Sequence, residues 1–262
     1  MLKYSDMNME KTIFLTIAYD GTGFSGWQRQ PVDRTVSGEL EKVFSQLCGI
    51  EVKLNGASRT DAGVHAIGQC ATFSGVFGIP VHRMARAAND ALAKDRLERV
   101  GEIQIVSATE KPKGFHARFD AQGKRYVYKI RNVEKPDIFC RNYFYQVKKP
   151  LDVFAMQEAA NAIVGEQDFC CFMATGSTEQ KSTVRKIYDC NVTKEDENIK
   201  ISISGNGFLY NMVRIMAGTL VEVGYGKKDA SSISEIIASL DRRKAGHTAP
   251  PQGLYLEEVF YQ

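Results

Sequence analysis

Thr12-Ile13-Phe14-Leu15-Thr16-Ile17-Ala18-Tyr19 is the stretch on which the architecture turns. Its β-branched and aromatic side chains read as a strand. A helix follows, with Val36, Leu40, Val43, Phe44 and Leu47 on one face and Gly49 as the stop. Glu51–Leu54 and Gly68–Phe73 read as two further strands. A second helix after Pro80 carries Met84, Ala87, Ala88, Ala91 and Leu92 inward, and Glu102–Ala108 reads as a fourth strand. Strand, helix, strand, strand, helix, strand is the order of a ferredoxin-like split βαβ unit.

The rest of the chain repeats the theme loosely. Arg125–Arg131 sets Tyr126, Tyr128 and Ile130 on one face and Arg125, Val127, Lys129 and Arg131 on the other, as a half-buried strand does. Asn142–Val147 is expected to pair with it. A helix is expected from Asp152 to Val164, ended by Gly165, then strands at Arg185–Thr193 and Ile199–Ser204. A long helix from Gly207 to Val223 would stack Phe208, Met212 and Met216. Ser232 and Glu235 have the spacing of a capping box opening a short helix, and Leu254–Tyr261 reads as a last strand. The expectation is an α+β chain of two ferredoxin-like halves, residues 1–115 and 116–262, with antiparallel sheets facing a central basic cleft.

Composition narrows the function. With 44% hydrophobic and 25% charged residues over 262 positions, the chain can bury a core. No apolar run approaches the roughly 20 residues that span a bilayer. The start, Met1-Leu2-Lys3-Tyr4-Ser5-Asp6, has no small-residue cleavage site, which argues against a secretory signal. Six cysteines without Cys-x-x-Cys or zinc-type spacing read as reduced, structural thiols of a cytoplasmic protein; the vicinal Cys170 and Cys171 read as packing beside Phe169 and Phe172. The net charge of +3 is uneven: Glu110–Lys149 holds eleven Lys or Arg against four Asp or Glu, together with eight of the 26 aromatic residues. Cations interleaved with flat rings suit a polyanion whose bases stack.

The chemistry concentrates in Gly56-Ala57-Ser58-Arg59-Thr60-Asp61-Ala62-Gly63-Val64-His65-Ala66. Small residues let a backbone approach a bulky ligand, and a carboxylate beside a guanidinium is favoured as the anion. Such a group serves as nucleophile, general base or metal ligand; the plainer alternative is a turn cap with a solvated ion pair. A metal reading through Asp61 and His65 lacks a second carboxylate or histidine nearby. Gly21-Thr22-Gly23-Phe24-Ser25-Gly26 matches the dinucleotide fingerprint in letters, yet Trp27–Pro31 intervenes before helical periodicity begins. That loop is expected to bring Trp27 and Arg29 to the rim of a site, or only to turn the chain.

The eleven-residue string resembles the catalytic motif of the tRNA pseudouridine synthase A family. Also similar are Tyr19-Asp20-Gly21 through Gly26-Trp27-Gln28-Arg29-Gln30, Gly114–Phe119, Lys124–Tyr128, Asn211-Met212-Val213-Arg214, Gly218-Thr219-Leu220 and Thr248–Leu256, in family order. One segment departs: Leu92-Ala93-Lys94-Asp95 lacks a proline the family usually shows. The resemblance implies two α+β domains sharing a sheet, with a positive cleft around the aspartate. It implies isomerisation of uridine to pseudouridine in tRNA, at positions 38, 39 and 40 of the anticodon stem-loop. Asp61 is then the catalytic residue, Tyr126 packs on the target base, Arg214 pairs with Asp61, and Arg59 and Arg29 take phosphates. It further implies a homodimer, and a redox-neutral isomerisation needs no cofactor or metal. An RNA-binding module without chemistry, a synthase for other RNA uridines and a metal-dependent hydrolase using Asp61 and His65 stay open at this point.

Overall fold

The structure, a computed structural model, describes residues 9–94, 101–176 and 182–262. The reading of Met1–Asp6 lies outside them, as does Asp95; Ala93, where the family's proline would stand, is helical, within Val81–Lys94. By contacts the chain divides into two compact units, Met1–Gln122 with Leu256–Gln262, and Gly123–Tyr255. A division in chain order puts the last strand with the second half; its contacts put Leu256–Gln262 with the first.

In the first unit β1 (Lys11–Tyr19) lies between β3 (His65–Gly75) and β4 (Ile103–Lys111), antiparallel to both. Its inward side chains Ile13, Leu15, Ile17 and Tyr19 are buried with Leu40, Phe44, Phe73, Met84 and Ala88. These last five come from β3 and from two helices, α1 (Val36–Cys48) and α2 (Val81–Lys94). Thr35 starts α1 by accepting a hydrogen bond from Gly38 N, a cap worth about 1 kcal/mol. Gly49 stops it at φ +68°, a conformation that suits glycine.

Glu51–Leu54 is not the expected strand. Val52 N donates to Ser45 Oγ at 2.9 Å and Leu54 N to Glu41 Oε1 at 3.0 Å, so side chains of α1 supply the acceptors that a neighbouring strand would. Only β2 (Asn55–Gly56) joins β3, opposite Thr72 and Ala71. The order β4-β1-β3-β2 is that of a split βαβ unit, and β10 (Leu254–Phe260) also lies along β3.

In the second unit β5 (Gly123–Asn132), β9 (Asn198–Gly205), β8 (Val184–Glu195) and β7 (Gly165–Asp168) form successive antiparallel pairs, while β6 (Tyr145–Val147) runs parallel to β5. Helix α3 (Val153–Asn161) is capped by Asp152 and ends short of the expected Val164; α4 (Met212–Gly224) is buried along nearly its whole length. It begins at Met212 rather than Gly207 because Asn211 sits at φ +58°, so Phe208 belongs to the preceding loop. Helix α5 (Ser232–Ser239) forms without the capping box: the Ser232 hydroxyl donates to Asp229 O at 2.7 Å, pointing away from its own first turn.

Candidate active site

Asp61 stands half-buried on a loop pinned at both ends. On its N-terminal side the Gln69 amide straddles Ser58, accepting from its N–H at 3.2 Å and donating to its carbonyl at 2.8 Å. Thr60 Oγ1 meets the Tyr19 hydroxyl at 2.7 Å in a buried contact, and Thr60 O accepts from Trp27 N at 3.0 Å. On the C-terminal side Val64 N closes a turn onto Asp61 O at 3.2 Å, Gly63 N donates to Phe24 O at 3.4 Å, and Gly21 N donates to His65 Nδ1 at 3.1 Å. Two glycines make this lacing possible. A Cβ on Gly21 would overlap the Val64 carbonyl, and Gly26, at φ +85°, would bring one to 2.6 Å from Thr60 O. A carboxylate held this way needs little reorganisation before it reacts.

The neighbours sort themselves by environment. Arg59 is exposed beside the loop. Trp27 is not at a rim: it is 1% exposed, with its indole under Gly56 and its ring tilted on Tyr19. Arg29 faces Glu41 at 3.1 Å. His65 is 2% exposed, and the bond from Gly21 N occupies the Nδ1 lone pair a metal would need, which counts against the Asp61–His65 metal reading. Where the dinucleotide fingerprint would open a helix, Gly21–Gly23 forms a single 3-10 turn.

In the second unit Tyr126 is 6% exposed, opposite Ile203 on β5, with the Phe208 ring edge-on at 5.2 Å. Tyr128 is distinct from it. Its hydroxyl donates to Pro250 O at 2.7 Å, and burial, then Tyr145, hold its pKa well above the phenol range, with Arg214 acting in the other direction. Arg214, in the first turn of α4, donates through Nε to Ala249 O at 2.8 Å and through Nη1 to Asn211 Oδ1 at 2.7 Å. The strap carrying Ala249 is itself fixed. Gly246 N donates to Thr219 Oγ1 at 2.8 Å, and Glu222 Oε1 accepts from His247 N at 2.9 Å and faces His247 Nδ1 at 3.0 Å. Burial pushes the Glu222 carboxyl up, but the His247 bonds and Lys228 outweigh it and hold the group below the usual carboxylate range.

A sequence profile of the tRNA pseudouridine synthase family matches residues 15–120 and 159–262. The chain belongs to that family. Among relatives named tRNA pseudouridine synthase A, the protein of Ruminiclostridium cellulolyticum is 48% identical over 96% of this chain and all of its own length. Those of Caldicellulosiruptor bescii and Acetivibrio thermocellus are each 46% identical over the same share of this chain and all of theirs.

Within this synthase family member, sequence reasoning missed the residues that aim the named ones. Gln69, a lone amide inside an apolar strand run, was the available signal for the Ser58 clamp. Ala249 and Asn211 act through a backbone carbonyl and a left-handed cap, which leave no mark in composition. The thiols are inert where burial dominates: Cys171 and Cys190 are pushed up to about 12, and all six cysteines are free.

Proposed function

We propose that this member of the tRNA pseudouridine synthase family isomerises uridine to pseudouridine in tRNA, with Asp61 as the catalytic carboxylate. The observation that carries this reading is the loop clamped on both sides of Asp61, inside the family's own motif. The N1–C1′ bond breaks, the uracil turns over, a C5–C1′ bond forms, and the C5 proton leaves as N1 gains one. Atoms and electrons balance without a cofactor. Asp61 stabilises or traps the electron-poor centre, either at C1′ or on the base. A stacked uridine must first leave its stem. Tyr126 supplies a ring for it, Arg214 the counter-charge for Asp61, and Arg59 a phosphate contact. The anticodon stem-loop positions 38, 39 and 40, a homodimer and a cytoplasmic setting complete the proposal; no helix among the described residues is long and apolar enough to cross a membrane. Tritium release from carbon-5-labelled uridine in tRNA, followed by mapping of the product, tests the reaction and the target together. Release at background level overturns it.

The basic strand gives a second test. Arg125 and Lys129 share a face of β5, where Lys129 Nζ lies 3.8 Å over the Tyr255 ring. Neutralising Lys124, Arg125 and Lys129 together is expected to weaken tRNA binding and to flatten the log Kd–log salt slope by roughly 0.7–0.9 per lost phosphate contact. Unchanged affinity and slope mean a solvated face.

Tyr126 separates ring from hydroxyl. With the ring stacked on the base, Tyr126→Phe keeps tRNA affinity and Tyr126→Ala loses roughly 1–3 kcal/mol of binding; with the ring, 6% exposed, acting as core, Tyr126→Ala mainly lowers the melting temperature and Tyr126→Phe is nearly silent. If the hydroxyl assists proton removal from C5, Tyr126→Phe loses turnover out of proportion to binding. A Phe variant with wild-type turnover removes the hydroxyl from the chemistry.

A further inference from the structure

Residues 116–120 of the first unit form a stiff turn that holds an aromatic ring in solvent. Phe119 is 76% exposed. The backbone beneath it is fixed: buried Ala117 donates to Thr72 Oγ1 at 3.2 Å and accepts from the Tyr261 hydroxyl at 2.6 Å. His116 N donates to Asp120 Oδ2 at 2.8 Å, and Asp120 N returns to His116 O at 3.1 Å. His116 Nδ1 accepts from Arg118 N at 3.1 Å and Phe119 N at 3.4 Å, which turns the imidazole under the phenyl ring. The two rings are 4.3 Å apart and tilted by 34°, and the Arg118 guanidinium lies 6.0 Å from the Phe119 centroid.

We propose that His116, Arg118 and Phe119 form a stacking platform for an unpaired base of the RNA other than the target uridine. It rests on tRNA being the substrate. A single exposed phenylalanine is ordinary on a protein surface. This one differs because its backbone is locked, one side is backed by an imidazole, and a cation stands within reach of the phosphate that any stacked base brings with it. The chemistry beside the ring suits RNA: along residues 110–122 of the first unit Lys111, Lys113 and Arg118 outnumber Glu110 and Asp120, and Arg118 is next to Phe119 in the chain. A base needs one flat face and one nearby cation. Both are present.

The test compares wild type, Phe119→Ala, Phe119→Trp and Arg118→Gln for affinity towards a tRNA transcript, turnover at saturating tRNA, and melting temperature. Phe119→Ala is expected to bind roughly 5- to 150-fold more weakly, with melting and saturated turnover unchanged, while Phe119→Trp stays within about twofold of wild type. Arg118→Gln should flatten the salt slope by roughly 0.7–0.9, and Phe119→Ala should leave it alone. Phe119→Ala binding as tightly as wild type overturns the platform and leaves the synthase reading intact. A Phe119→Ala protein that binds normally but sediments as a smaller species shows that a second copy covers the ring, and overturns it too. If wild type itself binds no RNA, both readings fall together.

Discussion

Asp61→Asn is expected to abolish pseudouridine formation while the protein still folds and binds tRNA. The substitution keeps the size of the side chain and removes its charge, and with it the nucleophile or base. The loop's clamps run through Ser58, Thr60, Gly63 and Val64, so the backbone stays where it is. Loss of a positioned acid–base group alone costs on the order of 10²–10⁴ in rate, and a covalent role costs more. Tritium release measured beside filter binding on the same preparation separates the two effects. A variant keeping a tenth of wild-type turnover rules out Asp61 as the catalytic carboxylate.

Gly21→Ala gives the second large effect, from a residue with no chemistry of its own. Its new methyl group would meet the Val64 carbonyl, backbone against backbone, so either segment must move. Overpacking of this kind costs about 1–3 kcal/mol, or roughly 2–12 °C in melting temperature for a chain of this size. Displacing Val64 drags the turn that Val64 N makes with Asp61 O. A misplacement of about 1 Å costs on the order of a hundredfold in turnover. Gly78→Ala is the control, because its Cβ meets nothing within 4 Å. If both variants melt and turn over alike, the Asp61 loop is not held by the Gly21 segment.

Element order and family membership were legible in the sequence because they depend on periodicity and on a dense local motif. Strand β1 showed as a run of β-branched and aromatic residues, and β5 by its alternating face. What failed depended on particular hydrogen-bond partners and single backbone angles, which spacing does not display. Val52 and Leu54 look like strand residues, and only the approach of Ser45 and Glu41 takes their N–H groups out of a ladder. Trp27 looked like a rim residue because tryptophan after a glycine loop often is, whereas its place was decided by a gap under Gly56 that no pattern displays. Phe208 matched helical spacing to Met212, and one left-handed residue, Asn211, broke the phase. The Ser232 hydroxyl found a carbonyl before it found its cap. Arg214 stood out in the sequence as an arginine in an apolar helix, but its partners, the Ala249 carbonyl and the Asn211 amide, did not.

The return of Leu256–Gln262 to the first unit sets a clock on biosynthesis. Phe260 O accepts from Gln122 N at 2.9 Å, and Tyr261 packs edge-on against Phe14 at 5.1 Å. A nascent chain that has made the Asp61 loop therefore waits for all of Gly123–Tyr255 before the flank of β3 is covered. At about 5–20 residues per second that delay is on the order of ten seconds or more. Through that interval β3 presents an open edge, the kind of surface that chaperones guard. The unit that carries Asp61 is translated first and completed last.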